Sequence, residues 1–249
     1  MADFDCERWV AGVDGCRGGW LVVSRPLDDP SRARVSLLKR FADVLAMSPR
    51  AALIAVDMPI GLAARAGIGG RRADVEARAN LGKRKSAVFA MPSREAVEET
   101  DYVRACEAAA RTSEPSRMIS KQAFNIFPKI REIDVLMTPE FQDRVREVHP
   151  ELGFWALNGE KPLDLPKKMK ASPDQPGLAF RRRLLSAAGY DAALLEGRGG
   201  IRAADAGRDD LLDAAVCSWS AARILRGEGR RFPSEPEIDA KGLRMEIWC

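Results

Sequence analysis

Two apolar segments that each end on a carboxylate constrain the fold of this chain more than any other feature of its sequence. Residues 9–14 and 52–57 are apolar except for Asp14 and Asp57 at their ends. Short apolar runs of this kind, bounded by turn residues, are typical of buried strands. The Gly-rich stretch 15–19 and the apolar run 20–24 then predict a hairpin after the first strand. Two buried strands that carry Asp are therefore the starting point for the fold.

The order of the remaining elements predicts the architecture. Strands are expected at 9–14, 20–24, 34–39, 52–57, 145–149 and 244–248, and helices at 41–47, 73–81, 95–111, 120–136, 151–157, 178–188 and 208–225. This order predicts an α/β fold with a mixed sheet, in which three antiparallel strands are followed by parallel strands, and with helices on both faces. We expect one domain over residues 1–249, with a helical insertion at 65–140.

Five acidic residues lie at the polar ends of apolar segments: Asp14, Asp57, Glu147, Asp210 and Asp213. An ionised side chain in such surroundings is costly unless a cation balances it. The last two residues are three apart on a predicted helix and so share a face. Hard divalent cations prefer oxygen ligands, which makes an Asp-rich cluster better suited to Mg²⁺ or Mn²⁺ than to zinc. The sequence therefore predicts one carboxylate cluster that holds a divalent metal.

Each of these acidic residues also has a structural interpretation. Asp14 precedes Gly15, and Asp57 precedes Met58 and Pro59, so both fit turns. Asp210 and Asp213 lie near the start of a helix, where acids cap the helix or complement its dipole.

His149 is the single histidine of the chain. A strand over 145–149 would place it on the same face as Glu147, where it could orient a water molecule or contact phosphate. The alternative is a structural histidine. Glu151 fits the first turn of the next helix.

The basic residues leave two interpretations open. The net charge is +4, which neither requires nor excludes a polyanionic partner. Arg72, Arg78, Arg84 and Arg94 either contact phosphate or pair with neighbouring acids such as Asp74, Glu76 and Glu95.

Composition excludes several other classes of protein. Apolar residues make up 46% and charged residues 31%, and no apolar run reaches the roughly 18 to 20 residues that span a bilayer. The acidic start Met1–Asp5 is unlike a signal peptide. Five cysteines without a Cys-x-x-Cys spacing argue against a disulfide framework and a zinc knuckle. We therefore expect a cytoplasmic protein.

Over nearly its whole length the chain resembles the family described as predicted RNase H-like nucleases. The motifs that carry the resemblance are Gly12-Val13-Asp14-Gly15-Cys16-Arg17-Gly18-Gly19-Trp20, Asp57-Met58-Pro59-Ile60-Gly61-Leu62, Arg72-x-Asp74-x-x-x-Arg78, Ser86-x-Val88-Phe89, Pro92-x-Arg94, Gln122-x-Phe124 through Pro128-Lys129-Ile130, Glu147-Val148-His149-Pro150-Glu151 and Asp210-x-x-Asp213-Ala214.

The resemblance implies an RNase H-like fold with a RuvC-like acidic site and a nuclease that uses Mg²⁺ or Mn²⁺. The metal ligands would be Asp14, Asp57, Asp210 and Asp213, with Asp14 bridging two ions. Two ions about 3.5 to 4 Å apart activate the attacking water and stabilise the leaving oxygen. Glu147 and His149 would complete the catalytic set. The substrate would be nucleic acid, either DNA or RNA, contacted by Arg72, Arg78, Arg84, Arg94 and Lys129. A branched DNA substrate would call for paired active sites and so for a homodimer.

Two other functions are compatible with the same sequence features. Sugar kinases and actin-like ATPases share the core fold and transfer phosphoryl groups from ATP, although they usually contain two such domains and a second Gly-rich phosphate loop. A non-catalytic nucleic-acid-binding module would keep the core and cleave nothing.

Overall fold

A computed structural model of the chain describes residues 7–167, 175–197 and 199–249. Within these ranges, none of the helices has both the length and the apolar character that crossing a bilayer requires. The chain divides into two compact units. Unit 1 comprises Met1–Asp57 and Leu165–Gly229, and unit 2 comprises Met58–Asp164 and Arg230–Cys249.

The main sheet confirms the predicted α/β fold. Its strands are β1 (Trp9–Cys16), β2 (Gly19–Pro26), β3 (Arg34–Leu38), β4 (Ala51–Val56) and β5 (Val145–Glu147). The strand order is β3-β2-β1-β4-β5. Strands β1, β2 and β3 form an antiparallel meander, and β4 runs parallel to β1. This arrangement of three antiparallel strands followed by parallel strands is consistent with an RNase H-like topology.

In unit 1 the helices are α1 (Phe41–Leu45), α8 (Pro176–Ala187), α9 (Ala192–Glu196) and α10 (Arg208–Leu225). Helix α10 packs directly on β1, because Gly12 has no side chain to hold it away. A Cβ atom at Gly12 would lie 2.0 Å from the backbone nitrogen of Ser218 and 2.1 Å from the carbonyl oxygen of Ala214. Most residues of α10 after Asp210 are buried, and they complete an apolar core with β1, β2 and β4.

A buried polar contact also fastens α10 in unit 1. The hydroxyl of Tyr190 lies 2.6 Å from the hydroxyl of Ser218 on α10 and accepts a hydrogen bond of 3.0 Å from Nε of Arg25 on β2. All three side chains are buried, so their polar atoms satisfy one another instead of water.

Unit 2 contains the helices between α1 and α8 and the last two strands. The helices are α2 (Arg72–Ala79), α3 (Arg94–Glu98), α4 (Tyr102–Arg111), α5 (Lys121–Leu136), α6 (Pro139–Gln142) and α7 (Pro150–Leu157), and the strands are β6 (Arg231–Ile238) and β7 (Arg244–Trp248). Helices α2 and α7 share an apolar cluster with the final strands, in which Trp155 packs edge-on against Phe232. The expected helical insertion at 65–140 lies inside unit 2. That these residues form an insertion in the sheet domain stays a prediction.

The expected single helix at 95–111 is wrong, because the structure has α3 and α4 in its place. The side chain of Asp101 accepts a hydrogen bond of 3.0 Å from the backbone N–H of Arg104 and so caps a new helix. The polar residues 98–101 fit an exposed turn of one continuous helix as well as a break, so the sequence pattern does not reveal the cap.

The expected strand over 145–149 is wrong at its end. Strand β5 stops at Glu147, and His149 is the N-cap of α7, whose first residue is Pro150. Proline is favoured at the first position of a helix and ends the strand before it. Glu147 and His149 therefore do not share a strand face.

The first strand is longer than expected. Pairing between β1 and β2 continues to Cys16 and Gly19, so Asp14 lies inside β1 and not at its end. Strand β6 and the short helices α6 and α9 lie where the sequence pattern predicted no element.

Candidate functional site

Sheet register brings Asp14 and Asp57 together in unit 1. Val13 on β1 pairs with Val56 on the parallel strand β4, so the next residues, Asp14 and Asp57, lie side by side. The backbone N–H of Asp57 donates a hydrogen bond of 2.9 Å to the carbonyl oxygen of Val13. Asp14 is only 8% exposed, whereas Asp57 is partly exposed.

Helix α10 adds Asp210 and Asp213 to the same cluster. The close packing of Gly12 against α10 fixes the first turns of the helix beside β1. Asp213 is buried, with 5% exposure, while Asp210 is partly exposed. One oxygen of Asp210 accepts a hydrogen bond of 2.8 Å from the backbone N–H of Gly207, so this side chain also caps its helix.

The pKa of Asp14 shows that the four carboxylates interact. Burial raises the pKa of Asp14 well above its ordinary value, and repulsion from Asp213, Asp57 and Asp210 raises it further. The pKa of the buried thiol of Cys217, one turn after Asp213, is raised by burial and by Asp57, Asp14 and Asp213. Unit 1 therefore contains a concentration of negative charge that a bound cation would relieve. We define Asp14, Asp57, Asp210 and Asp213 as the acidic cluster.

Lys167 supplies a positive charge to the acidic cluster. Its ammonium group contacts the carboxylate of Asp213, and its charge lowers the pKa of Asp14. The sequence marks Lys167 only as the first member of a Lys-rich stretch, whose other lysines lie outside the described residues. Because the contact joins segments far apart in the chain, no local pattern indicates it.

The donor chemistry of the acidic cluster suits a hard divalent cation, since it offers only carboxylate oxygens. In the part of the chain that the structure describes, no three His, Cys, Asp or Glu side chains are arranged as a ligand set. Lys167 contacts Asp213 and lowers the pKa of Asp14. The metal-ligand roles of Asp14, Asp57, Asp210 and Asp213 therefore stay predictions that the chemistry of the cluster supports.

Glu147 is part of a buried ion network in unit 2. Its two carboxylate oxygens accept hydrogen bonds of 2.8 and 2.5 Å from the guanidinium of Arg71, and one of them also accepts a bond of 2.7 Å from the backbone N–H of Ile60. The same guanidinium donates to Asp74. These contacts fix the segment after β4 to β5. The predicted catalytic role of Glu147 stays a prediction.

The pKa values in this network follow from burial and pairing. Burial raises the pKa of Glu147 to about 7, although Arg71 opposes this shift. Burial alone would lower the pKa of Arg71, but Asp74 and Glu147 raise it above its ordinary value, so the guanidinium stays charged.

His149 makes local contacts in unit 2. Its Nδ1 accepts a hydrogen bond of 3.2 Å from the backbone N–H of Glu151, which leaves Nε2 to donate to the carbonyl oxygen of Ala87 at 3.2 Å. The residue thus caps α7. Its predicted role toward water or phosphate stays a prediction.

The predicted phosphate-contacting residues lie in unit 2, where the arginines make contacts within the chain. Arg72 pairs with Glu76 at 2.8 Å, Arg84 with Glu151 at 3.2 Å, and Arg94 with both Asp134 and Asp239 at 2.6 Å. The guanidinium of Arg78 donates to the carbonyl oxygens of Asp74 and Gly69. Lys129 is partly buried on α5.

These pairs agree only in part with the acids expected from sequence. Glu76 is the partner of Arg72, as the structural interpretation proposed, but Glu95 pairs with Arg111 and not with Arg94. Helical spacing of four residues predicts the first pair, whereas Arg94 reaches acids far away in the sequence.

Comparison with known proteins identifies a family without giving a function. No curated protein and no solved structure matches the chain. A family model described as "Protein of unknown function (DUF429)" matches residues 12–238, which is most of the chain. The chain therefore belongs to the DUF429 family.

Proposed function

We propose that this protein is a nuclease that depends on Mg²⁺ or Mn²⁺ and hydrolyses phosphodiester bonds of nucleic acid. The observation that carries the proposal is the acidic cluster, in which the sheet register places Asp57 beside the buried Asp14 and α10 adds Asp210 and Asp213. Burial raises the pKa of Asp14, and the charges of Asp213, Asp57 and Asp210 raise it further. Folding such charges together is unfavourable, so their proximity supports a role in binding a cation. The RNase H-like order of the strands is consistent with this role.

In the proposed reaction the side chains of the acidic cluster bind the metal. Asp14, Asp57, Asp210 and Asp213 would hold the metal, which supplies a nucleophilic hydroxide and stabilises charge on phosphate oxygens when bound. Burial of Asp14 and Asp213 keeps bulk water away from their carboxylates and strengthens their attraction for a cation. Packing of α10 on β1 holds Asp210 and Asp213 beside Asp14.

Cleavage assays test this proposal directly. Purified protein is incubated with labelled single-stranded, double-stranded, hybrid and branched substrates in Mg²⁺ or Mn²⁺, beside an Asp14→Asn variant. We expect cleavage by the wild type and a loss of at least about 100-fold in the variant, as is typical when an electrostatic catalytic group is removed. Asp205→Asn, which changes an acid of unit 1 that pairs with Arg202 outside the acidic cluster, is the matched control and should cleave normally.

Other results would replace the proposal. Equal cleavage by wild type and Asp14→Asn would mean that the activity belongs to another site or to a contaminant. Turnover of ATP without cleavage of any nucleic acid would assign a phosphotransferase or ATPase. Nucleic-acid binding with neither activity would assign a non-catalytic module.

A further inference from the structure

A cavity of about 190 Å³ lies in unit 2, beside the first turn of α5. Its apolar lining includes Phe89, Met91, Pro92 and Ala123. An apolar cavity of roughly 150 Å³ binds a benzene ring, so this volume suits one planar ring system. Phe89 is only partly buried, which leaves its ring accessible for stacking against a ligand.

One wall of the cavity consists of glycines. Gly67, Gly69 and Gly70 all line it, and the last two have positive φ angles of 89° and 94°. A Cβ atom on Gly70 would lie 2.5 Å from Oδ2 of Asp74, so only glycine fits there. A Cβ atom on Gly67 would meet no atom within 4 Å and would enter open space. The bare backbone lets a flat ligand approach closely.

Arg117 adds a positive charge to the lining of the cavity. The residue is exposed, and its backbone N–H donates a hydrogen bond of 2.8 Å to the hydroxyl of Ser113, which also lines the cavity. This bond holds the backbone of Arg117 in place while the guanidinium faces solvent, where it can pair with a phosphate. The cavity therefore offers an apolar slot, an aromatic face and a cation at one place.

We propose that this cavity binds one unpaired base of a single-stranded nucleic acid, with a neighbouring phosphate held by Arg117. A nucleotide combines a planar ring with an adjacent anion, which is the combination that the lining presents. An aromatic side chain of a peptide would fill the slot but would leave the charge of Arg117 unmatched. The inference rests on the proposed function, because it gives the nuclease a substrate class with unpaired bases.

Binding measurements on variants of the cavity test the proposal. Fluorescence anisotropy of short labelled single-stranded DNA and RNA is measured in EDTA, so that no substrate is cleaved. Gly67→Leu should fill the slot and weaken binding about tenfold, since stacking of one base contributes about 1 to 3 kcal/mol. Ala187→Leu, which adds the same side chain at an exposed position of α8 outside the cavity lining, should bind like the wild type. Thermal unfolding of both variants shows whether each is folded.

A second pair of variants tests the phosphate contact. Arg117→Gln should weaken binding and reduce its salt dependence, because one phosphate contact is lost. Arg104→Gln removes an exposed charge from α4, away from the cavity lining, and should change neither. An oligonucleotide with abasic positions should bind the wild type about tenfold more weakly, yet bind Gly67→Leu no worse than the intact strand does.

The outcomes separate this inference from the proposed function. If folded Gly67→Leu binds the intact strand as tightly as the wild type does, the proposed base-binding site is wrong. This holds even if cleavage depends on Asp14. Failure of the wild type to bind any single strand, or tighter binding of an aromatic peptide than of the oligonucleotides, would overturn it as well. Oligonucleotide binding that depends on Gly67 and Arg117, without cleavage in any metal, would support the base-binding site and refute the nuclease.

Discussion

At the scale of single residues, the charge of Asp14 is costly to the folded chain, because burial raises the pKa of its carboxyl group. A carboxyl group whose pKa is raised by folding stabilises the folded state only while it is protonated. Its contribution is fully present below the pKa of an unfolded Asp, about 3.9, and is lost as the pH rises through the raised pKa. In the absence of divalent metal, Asp14→Asn should therefore raise the free energy of unfolding by about 1 kcal/mol at pH 8.

Urea unfolding at a series of pH values checks this expectation. The gain from Asp14→Asn should shrink toward pH 4, where the wild-type carboxyl is protonated and resembles Asn. The control is Asp205→Asn, which should bring no gain, because a hydrogen bond from Arg202 lowers the pKa of Asp205. A destabilised Asp14→Asn variant at pH 8 would contradict the raised pKa.

Lys167 gives a second prediction at the residue scale. Its ammonium group contacts Asp213, so a divalent cation that binds Asp213 must compete with it. Removing the ammonium should strengthen Mn²⁺ binding about fivefold, which corresponds to about 1 kcal/mol for one charge contact. Titration calorimetry of Lys167→Gln against the wild type measures the change. The matched control, Lys161→Gln, alters an exposed lysine of unit 2 and should leave the affinity unchanged.

Comparing the Mn²⁺ affinity of Lys167→Gln with that of the wild type tests both the role of Lys167 and the use of Asp213 as a metal ligand. If Lys167→Gln and wild type bind Mn²⁺ with the same affinity, then the cation does not use Asp213. Weaker binding by the variant would mean that Lys167 supports the metal site and does not compete for it.

At the scale of elements, the packing of α10 on β1 determines whether the acidic cluster exists. Gly12→Ala would place a Cβ atom within about 2 Å of the α10 backbone, and backbone cannot move aside as a flexible side chain can. We expect the variant to lose about 3 kcal/mol of unfolding free energy and to bind Mn²⁺ more weakly, because α10 must shift away from Asp14. Denaturant unfolding and calorimetry measure the two effects.

Gly67→Ala is the matched control for this substitution. It introduces the same methyl group where no atom lies within 4 Å, so stability and Mn²⁺ binding should match the wild type. Should Gly12→Ala retain full stability, the described packing of α10 on β1 would be wrong.

The elements that the sequence predicted well are those with an unbroken pattern. Helix α10 and strand β7 have the predicted bounds, because an apolar stripe identifies the helix and the alternation of polar and apolar residues from Arg244 to Ile247 identifies the strand. The division between α3 and α4 at Asp101 was missed because a capping residue can lie inside a periodic stretch. At His149 the residue following it, Pro150, decides that the position is a helix cap and not a strand.

At the scale of the whole molecule, the sequence predicts features that have a local pattern. It does not predict contacts between segments that are far apart in the chain. The acidic residues could be selected because each lies beside an apolar segment, and the mixed sheet could be predicted from the order of elements. The pairing of Lys167 with Asp213 and of Arg94 with Asp239 has no such signal, because it depends on the final fold. The same holds for Glu147, whose acidic motif resembles a metal ligand but whose carboxylate binds Arg71.

The last prediction concerns the stability of the entire chain. The acidic cluster takes its side chains from β1, from the residue after β4 and from α10, so a metal bound there would hold together segments from both ends of the sequence. A ligand that binds only the folded state at 100 times its dissociation constant adds about 2.7 kcal/mol of stability. Mn²⁺ should therefore raise the thermal midpoint of the wild type, and EDTA should reverse the increase. Asp14→Asn should show little or no increase. Arg104→Gln changes a residue that is far along the chain from the four proposed metal-binding aspartates, and it should respond like the wild type. An equal increase in all three proteins would show that Mn²⁺ stabilises the chain through sites other than the acidic cluster.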